Sequence, residues 1–214
     1  MFGADFGNLD VMATSRIGFP QGLALFVAGQ AVSAALDRVT KALKPDAALE
    51  KDRTRAYYRE LKRPVFAPPG WAFGPAWLLN SALLSAAFVR AYNARGVDPE
   101  KRSAYLAAQG LHWLLYVAFA PLDFGLRSPL NGALITLLDT VTIGVATRLS
   151  LDFDDDVLTA LHLTTVAWLG IAAPLSLAIA AWNRDDYWQA GPFAAADPRW
   201  VKNEPAPSGG PDAG

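Results

Sequence analysis

Apolar residues fall into five long blocks along the chain, separated by polar segments. A helix needs about 20 mostly apolar residues to cross a hydrocarbon core of ~30 Å. Five blocks have that length, at residues 17–36, 71–92, 103–124, 130–149 and 157–182. They are apolar nearly all round, whereas the helices of a soluble bundle, the alternative, carry one polar face. The pattern therefore predicts an all-α integral membrane protein, a bundle of five transmembrane helices.

The polar segments divide the chain around this bundle. Residues 1–16 form a polar N-terminal segment, 17–182 the five-helix domain with a long loop at 37–70, and 183–214 a polar tail. The last stretch, "NEPAPSGGPDAG", cannot bury a core, so we expect the tail to be partly disordered.

Lysine and arginine are distributed unequally between the two sides of the predicted bundle. The side with the loop 37–70 and the C-terminus has thirteen, and the side with the N-terminus has six. Cytoplasmic loops carry the excess of basic residues, which places the N-terminus outside and the C-terminus in the cytoplasm. The acidic run Asp154 to Asp156 is then outside. It lacks the spaced ligands of a calcium loop, so we expect a solvated turn that caps the fifth helix.

The amino-acid composition argues against several kinds of partner and metal site. Hydrophobic residues make up 52% of the chain and charged residues 18%, with a net charge of −1, so nothing indicates a nucleic-acid partner. The absence of cysteine excludes disulfides and thiolate ligands, and two histidines make a zinc site improbable. No residue set has hydrolase spacing and no glycine-rich phosphate loop is present, which favours a protein that is not an enzyme over one that is, with the question left open.

The stretch "KRPVFAPPGWAFGPAW", residues 62–77, leads into the second block. Pro64, Pro68 and Pro69 favour extended backbone, which predicts a stiff non-helical strut, while Pro75 falls in the first turn of the helix. The aromatic residues fit either a belt at the membrane interface or a rigid lid over a cavity at the cytoplasmic face.

Three segments carry a family resemblance. They are "YYRELKRPVFAPPGWAFGPAW" before the second helix, "APLDFGLRSP" closing the third, and "WLGIAAPLSLAIAAWN" in the fifth. Together they resemble the signature of the TspO/MBR family, the translocator or tryptophan-rich sensory proteins, over roughly residues 57–183. The resemblance implies a bacterial-type membrane protein with a five-helix bundle that is usually dimeric.

In that family a pocket lies beneath the loop between the first two helices and takes porphyrins, haem, sterols and synthetic aromatic ligands. The resemblance implies these ligand-binding positions: Trp71, Phe73, Trp77, Phe119, Trp168, Ala172 and Leu175. The last three share one face of the fifth helix, and that spacing suits plain helix packing equally well. Pro64, Pro68 and Pro69 correspond to the strut above the pocket.

Departures from the family fall on ligand-lining positions. Val65 and Phe66 stand where tryptophan is common, and Phe119 replaces a third-helix tryptophan. Polar residues inside the membrane are costly and often functional. We expect Asp139 to face the bundle, hydrogen-bonded or protonated. His112 either bridges helices or ligates the metal of a haem or chlorophyll, and His162 is expected to contact water or lipid headgroups.

Three functions follow from the resemblance and its departures. The first is binding of a planar hydrophobic ligand, a tetrapyrrole, in its sensing, transport or handling, with no cofactor required. The second is an accessory subunit of a larger membrane complex, such as a pigment–protein complex, that keeps the fold without the ligand. The third, ranked lowest, is a porphyrin-degrading enzyme. The expected partners are the lipid bilayer, a hydrophobic small molecule, and a second copy or other membrane subunits.

Overall fold

The computed structural model describes residues 51–202 without a gap, together with isolated positions between 18 and 42. Each isolated position described from 20 to 42 is helical. The first predicted span, residues 17–36, therefore lies largely outside the described residues. The N-terminal segment 1–16 and the stretch 203–214 lie outside them entirely.

Within residues 51–202 the chain is helical, with two isolated β-bridges and no strand. The helices are α1 (Lys51–Glu60), α2 (Phe73–Asn93), α3 (Pro99–Ala120), α4 (Pro129–Ser150), α5 (Asp156–Ala160) and α6 (Leu163–Trp182). Helices α2, α3 and α4 coincide with the second, third and fourth predicted spans to within a few residues. The fifth span is divided into α5 and α6 by a turn at residues 161–162.

Two helices begin at a sequence signal of the same kind, a capping side chain followed by proline. The Asp98 carboxylate accepts a hydrogen bond from the Glu100 amide at the start of α3. The Ser128 hydroxyl accepts one from the Asn131 amide at the start of α4. Proline at the first helical position costs little, because its missing N–H would have no partner inside the helix.

Three segments of the described chain are long and apolar enough to cross a membrane: Gly70–Asn93, Pro129–Phe153 and Asp156–Trp182. Helix α3 has the length but a lower hydropathy, because Gln109 and His112 lie within it. Both side chains are buried against neighbouring helices and so do not face lipid. The chain is thus a helical membrane protein, and the predicted number of five spans stays a prediction.

Helix α4 lies at the centre of the bundle and packs against both α3 and α6. In mid-bundle Leu84, Ile143 and Leu169 form a buried cluster joined by Trp77 and Trp113. Towards the other end of α2, alanines at positions 87, 91 and 146 pack around Tyr105 and Phe153. Small residues at these crossings allow the helix backbones to approach closely.

The acidic turn before α5 is a cap, as predicted. The Asp155 carboxylate accepts a hydrogen bond from the Leu158 amide and forms an ion pair with Arg90 at the end of α2. The hydrogen bond from Arg90 lowers the pKa of the Asp155 carboxyl below its usual value. The turn therefore ties the loop after α4 to the end of α2.

The tail folds back onto the strut. Residues 61–69 are non-helical, as predicted, and Pro64 forms an antiparallel bridge with Val201. The Asn183 side chain bonds the backbone N–H and C=O of Lys62, at 2.8 and 2.9 Å. The buried Asp185 carboxylate accepts hydrogen bonds from the Ser128 hydroxyl and three backbone amides, those of residues 130, 187 and 188. Residues 183–202 are thus attached to the strut and to the start of α4.

Candidate functional site

A cavity of ≈ 880 Å³ opens between α2, α3, α4 and α6, beneath the ends of the strut. Its volume lies in the range of about 300–1,000 Å³ that pockets for small organic ligands occupy. Apolar and aromatic side chains make up most of its wall, and Arg59, Arg63 and Asp139 are the charged residues among the described lining.

Aromatic rings form one continuous wall of the cavity. The Trp168 ring on α6 meets Phe73 edge-on with 5.3 Å between centroids, and Trp77 at 6.3 Å. The Trp77 ring also lies 5.2 Å from Tyr116 on α3. These perpendicular and tilted contacts are the favoured geometry of aromatic pairs, so the rings hold one another in place.

Six of the seven residues predicted to bind ligand line this cavity: Trp71, Phe73, Trp77, Phe119, Trp168 and Ala172. Trp71 is 74% exposed and forms part of the rim, whereas Trp77 and Trp168 are half-buried. Leu175 is outside the lining, because its buried side chain packs with Tyr58, Ala67 and Ile179. Leu175 therefore takes part in helix packing, which was the alternative to ligand binding for the fifth-helix residues.

The strut flanks the cavity rather than facing into it. Pro64, Pro68 and Pro69 are absent from the described lining, whereas residues on either side of them, Arg63 and Gly70, belong to it. The Arg63 guanidinium lies 4.6 Å from the centre of the Tyr58 ring. The role of the three prolines as a lid stays a prediction.

The two polar residues singled out in the third and fourth spans meet. Asp139 lines the cavity and is 4% exposed, and its Oδ1 lies 2.7 Å from Nδ1 of His112. His112 is 1% exposed, lies outside the lining and stacks against Tyr116. It therefore bridges α3 and α4 as the first alternative expected. The imidazole lies outside the described lining of the cavity, and the second alternative, ligation of a haem or chlorophyll metal, stays a prediction.

The expectation that His162 contacts water or lipid headgroups is wrong. Its side chain is completely buried, because the turn between α5 and α6 directs it into the bundle. Nδ1 donates to the Leu158 carbonyl at 2.9 Å, which leaves Nε2 to accept from Gln109 at 2.8 Å and from the Tyr105 hydroxyl at 3.2 Å. This ring therefore joins α3 to α6 and belongs to the internal packing of the bundle.

Two residues of the quoted family segments, Arg127 and Tyr57, meet outside the described lining of the cavity. Arg127 forms ion pairs with Glu60 and Asp186, and its guanidinium lies 4.6 Å from the centre of the Tyr57 ring. Burial, and secondarily the negative charge of Asp123, raises the pKa of the Tyr57 hydroxyl well above its usual value, so it stays neutral. Arg59 and Arg63 line the cavity itself. Both arginines lie in the first quoted family segment and in the basic loop 37–70, but the sequence analysis assigned neither of them to the site.

Two comparisons with known proteins give a match. The TspO/MBR family model matches residues 23–182. A curated relative, the "Tryptophan-rich protein TspO" of Archaeoglobus fulgidus, is 29% identical over 128 residues, which cover 58% of this chain and 78% of the relative.

Proposed function

The chain belongs to the TspO/MBR family, and from that membership we propose that its cavity binds a planar hydrophobic ligand of the tetrapyrrole class. Binding serves the sensing, transport or handling of that ligand in the membrane. The observation that carries the proposal is a cavity of ≈ 880 Å³ walled by the rings of Phe73, Trp77, Tyr116 and Trp168.

The wall suits a flat macrocycle for physical reasons. Aromatic rings attract one another in offset-stacked or edge-on arrangements, and the gain adds to that of removing apolar surface from water. Because the wall residues already contact one another, little side-chain freedom remains to be lost on binding. Arg59 and Arg63 in the lining can pair with carboxylates on the periphery of a tetrapyrrole.

A second function, that of a subunit in a larger membrane assembly, is favoured by one observation. The attached tail exposes Trp188, Phe193 and Trp200, each between 58% and 62% accessible. Aromatic residues are enriched where proteins meet partners and where they meet the membrane interface. Under this function the chain would purify in fixed stoichiometry with other subunits, whereas under the first it purifies alone and binds ligand.

The test is a titration of the detergent-purified protein with protoporphyrin IX, followed by quenching of tryptophan fluorescence. We expect saturable quenching at micromolar ligand. Loss of one stacked indole costs about 1.4 kcal/mol, so Trp168→Ala should weaken affinity about tenfold and Trp71→Ala, at the exposed rim, less. Trp200→Ala is the matched control, because it removes an indole that lies outside the cavity. Affinity that is unchanged in both cavity variants would refute the assignment.

A further inference from the structure

The tail segment 183–202 places exposed aromatic rings beside the ends of two membrane-spanning helices. The Phe193 amide donates to the Ala181 carbonyl in the last turn of α6 at 2.8 Å. The Trp188 indole N–H donates to the side-chain oxygen of Asn131 in the first turn of α4 at 3.0 Å. Both rings are exposed, as is that of Trp71 at the start of the span that contains α2. The three rings therefore lie at the same end of the bundle, each beside the terminus of a span.

An exposed leucine lies on each of these three spans within about two turns of the ring: Leu78, Leu134 and Leu177. Leu134 follows Asn131 by three residues, so the two share one face of α4. Leu177 precedes Ala181 by four residues, so the same holds on α6. Exposed leucines on the outside of a membrane-spanning bundle face the hydrocarbon of the bilayer. The rings of the tail thus continue the lipid-facing surface of α4 and α6 towards the membrane surface.

The tail segment suits the edge of a bilayer, because backbone amides beside the rings are already paired. The Asp185 carboxylate accepts hydrogen bonds from the Tyr187 and Trp188 amides, and the Asp185 amide donates to the Ala190 carbonyl at 2.8 Å. A paired amide costs less to remove from water than a free one. The segment is also electrically neutral, which favours a zwitterionic lipid surface over a charged macromolecule as its partner. Its three basic and three acidic side chains are Arg184, Arg199, Lys202, Asp185, Asp186 and Asp197.

We propose that the tail segment 183–202 lies on the membrane surface, with the Trp188 and Phe193 rings in contact with lipid at the level of the headgroups. Tryptophan is enriched at this level because its ring is apolar and its N–H is polar, and a phenylalanine ring there removes apolar surface from water. The strut is bonded to the same segment, so the bilayer surface holds the strut beside the cavity through the tail. The inference goes beyond the proposed function and does not depend on which ligand the cavity binds.

The experiment is spin labelling of the full chain, which has no cysteine of its own. Trp188→Cys and Phe193→Cys are labelled singly with a nitroxide and reconstituted in vesicles of phosphatidylcholine alone. Collisions of the label with oxygen, which concentrates in lipid, are compared with collisions with a nickel chelate, which stays in water. Arg95→Cys is the control, because Arg95 is exposed in the loop between α2 and α3, at the other end of the bundle. We expect the ratio of oxygen to nickel collisions to be several-fold higher at both tail positions than at position 95.

A second measurement keeps an aromatic ring at position 188. In vesicles of lipid brominated close to the headgroup, the quenched fraction of tryptophan emission should be lower in Trp188→Phe than in the wild-type chain. Trp113→Phe is the matched control, because it removes an indole of the mid-bundle cluster and should raise that fraction. An unchanged or higher quenched fraction in Trp188→Phe overturns the contact of this ring with lipid.

The two collision reagents separate lipid, water and protein as surroundings of the tail. A ratio at either tail position that equals the ratio at position 95 places that ring in water and overturns the inference. Labels that are protected from both reagents overturn it as well, since a second copy or another membrane subunit then covers the rings. Ligand binding is measured separately by the protoporphyrin titration, so failure of this inference leaves the proposed function standing.

Discussion

Removal of the tail end should release the strut beside the cavity. Three hydrogen bonds join the two segments: Val65 N–H to the Trp200 carbonyl at 2.9 Å, Lys202 N–H to the Arg63 carbonyl at 2.8 Å, and Lys202 Nζ to the Ala67 carbonyl at 2.8 Å. All three involve backbone atoms of the strut. They hold it independently of its side chains.

The expected loss of free energy follows from the net contribution of each hydrogen bond to stability. Each contributes about 0.5–1.5 kcal/mol, so three contribute on the order of 2–4 kcal/mol. Ordering the last residues of the tail costs conformational entropy, which offsets part of that gain. We therefore work with about 2 kcal/mol, which corresponds to an increase of about thirtyfold in the population of strut that has opened locally.

The perturbation is a stop codon after Asp197, which deletes Trp200 and Lys202, and the assay is hydrogen–deuterium exchange in detergent. The amide of Val65 should exchange about thirtyfold faster than in the full chain, because its acceptor is gone. A chain that ends after Lys202 keeps all three bonds and is the matched control. Full protection of Val65 in the shorter chain would refute the conclusion that the tail holds the strut.

Three further substitutions test the packing outside the cavity, each by thermal unfolding in detergent. Asp185→Ala removes the acceptor of four hydrogen bonds and should lower the free energy of unfolding by about 2–4 kcal/mol, whereas no loss would mean that water replaces the carboxylate. Gly132→Ala places a Cβ 2.7 Å from Cγ of Asp123 and should cost about 1–3 kcal/mol, while Gly144→Ala, with open space around its Cβ, should cost nothing. Asp155→Ala removes a helix cap and should cost about 1 kcal/mol at pH 7. Because the pKa of Asp155 is lowered in the folded protein, this stabilisation is present above the ordinary carboxyl pKa and lost as the pH falls through the lowered one. The difference between wild type and variant should therefore begin to shrink below about pH 4 and vanish only below the lowered pKa of Asp155, and a difference that stays constant across this range would contradict the ion-pair explanation.

Helices could be predicted from the sequence where a long apolar run begins with a proline in its first turn. The spans that became α2 and α4 are long apolar runs, and a proline marks the first turn of each, at Pro75 and Pro129. The division of the fifth span at residues 161–162 could not be predicted, since no glycine or proline marks that point and the hydrogen-bond partners of His162 come from the folded bundle.

The aromatic side of the candidate site was accessible to sequence reasoning, because the resemblance identified its residues one by one. The attachment of the tail was not. The bridge between Pro64 and Val201 is a backbone pairing over a separation of more than a hundred residues, and it leaves no pattern in side chains. Helical spacing alone was also insufficient. Leu175 shares a helix face with Trp168 and Ala172, yet it packs away from the cavity that those two residues line.

The pairing of His112 with Asp139 accounts for part of the low hydropathy of α3, the helix at the position of the third predicted span. Each residue was recognisable alone as a polar group inside a membrane helix, but their contact depends on the rotation and register of α3 against α4. With Tyr105, Gln109 and Tyr116, His112 forms a polar stripe on one face of α3 at helical spacing. That stripe lowers the hydropathy of α3 where the helix is most buried, while Leu111 and Leu114 on its other side stay exposed. Low hydropathy in such a helix therefore indicates an internal polar contact, and it does not argue against a membrane position.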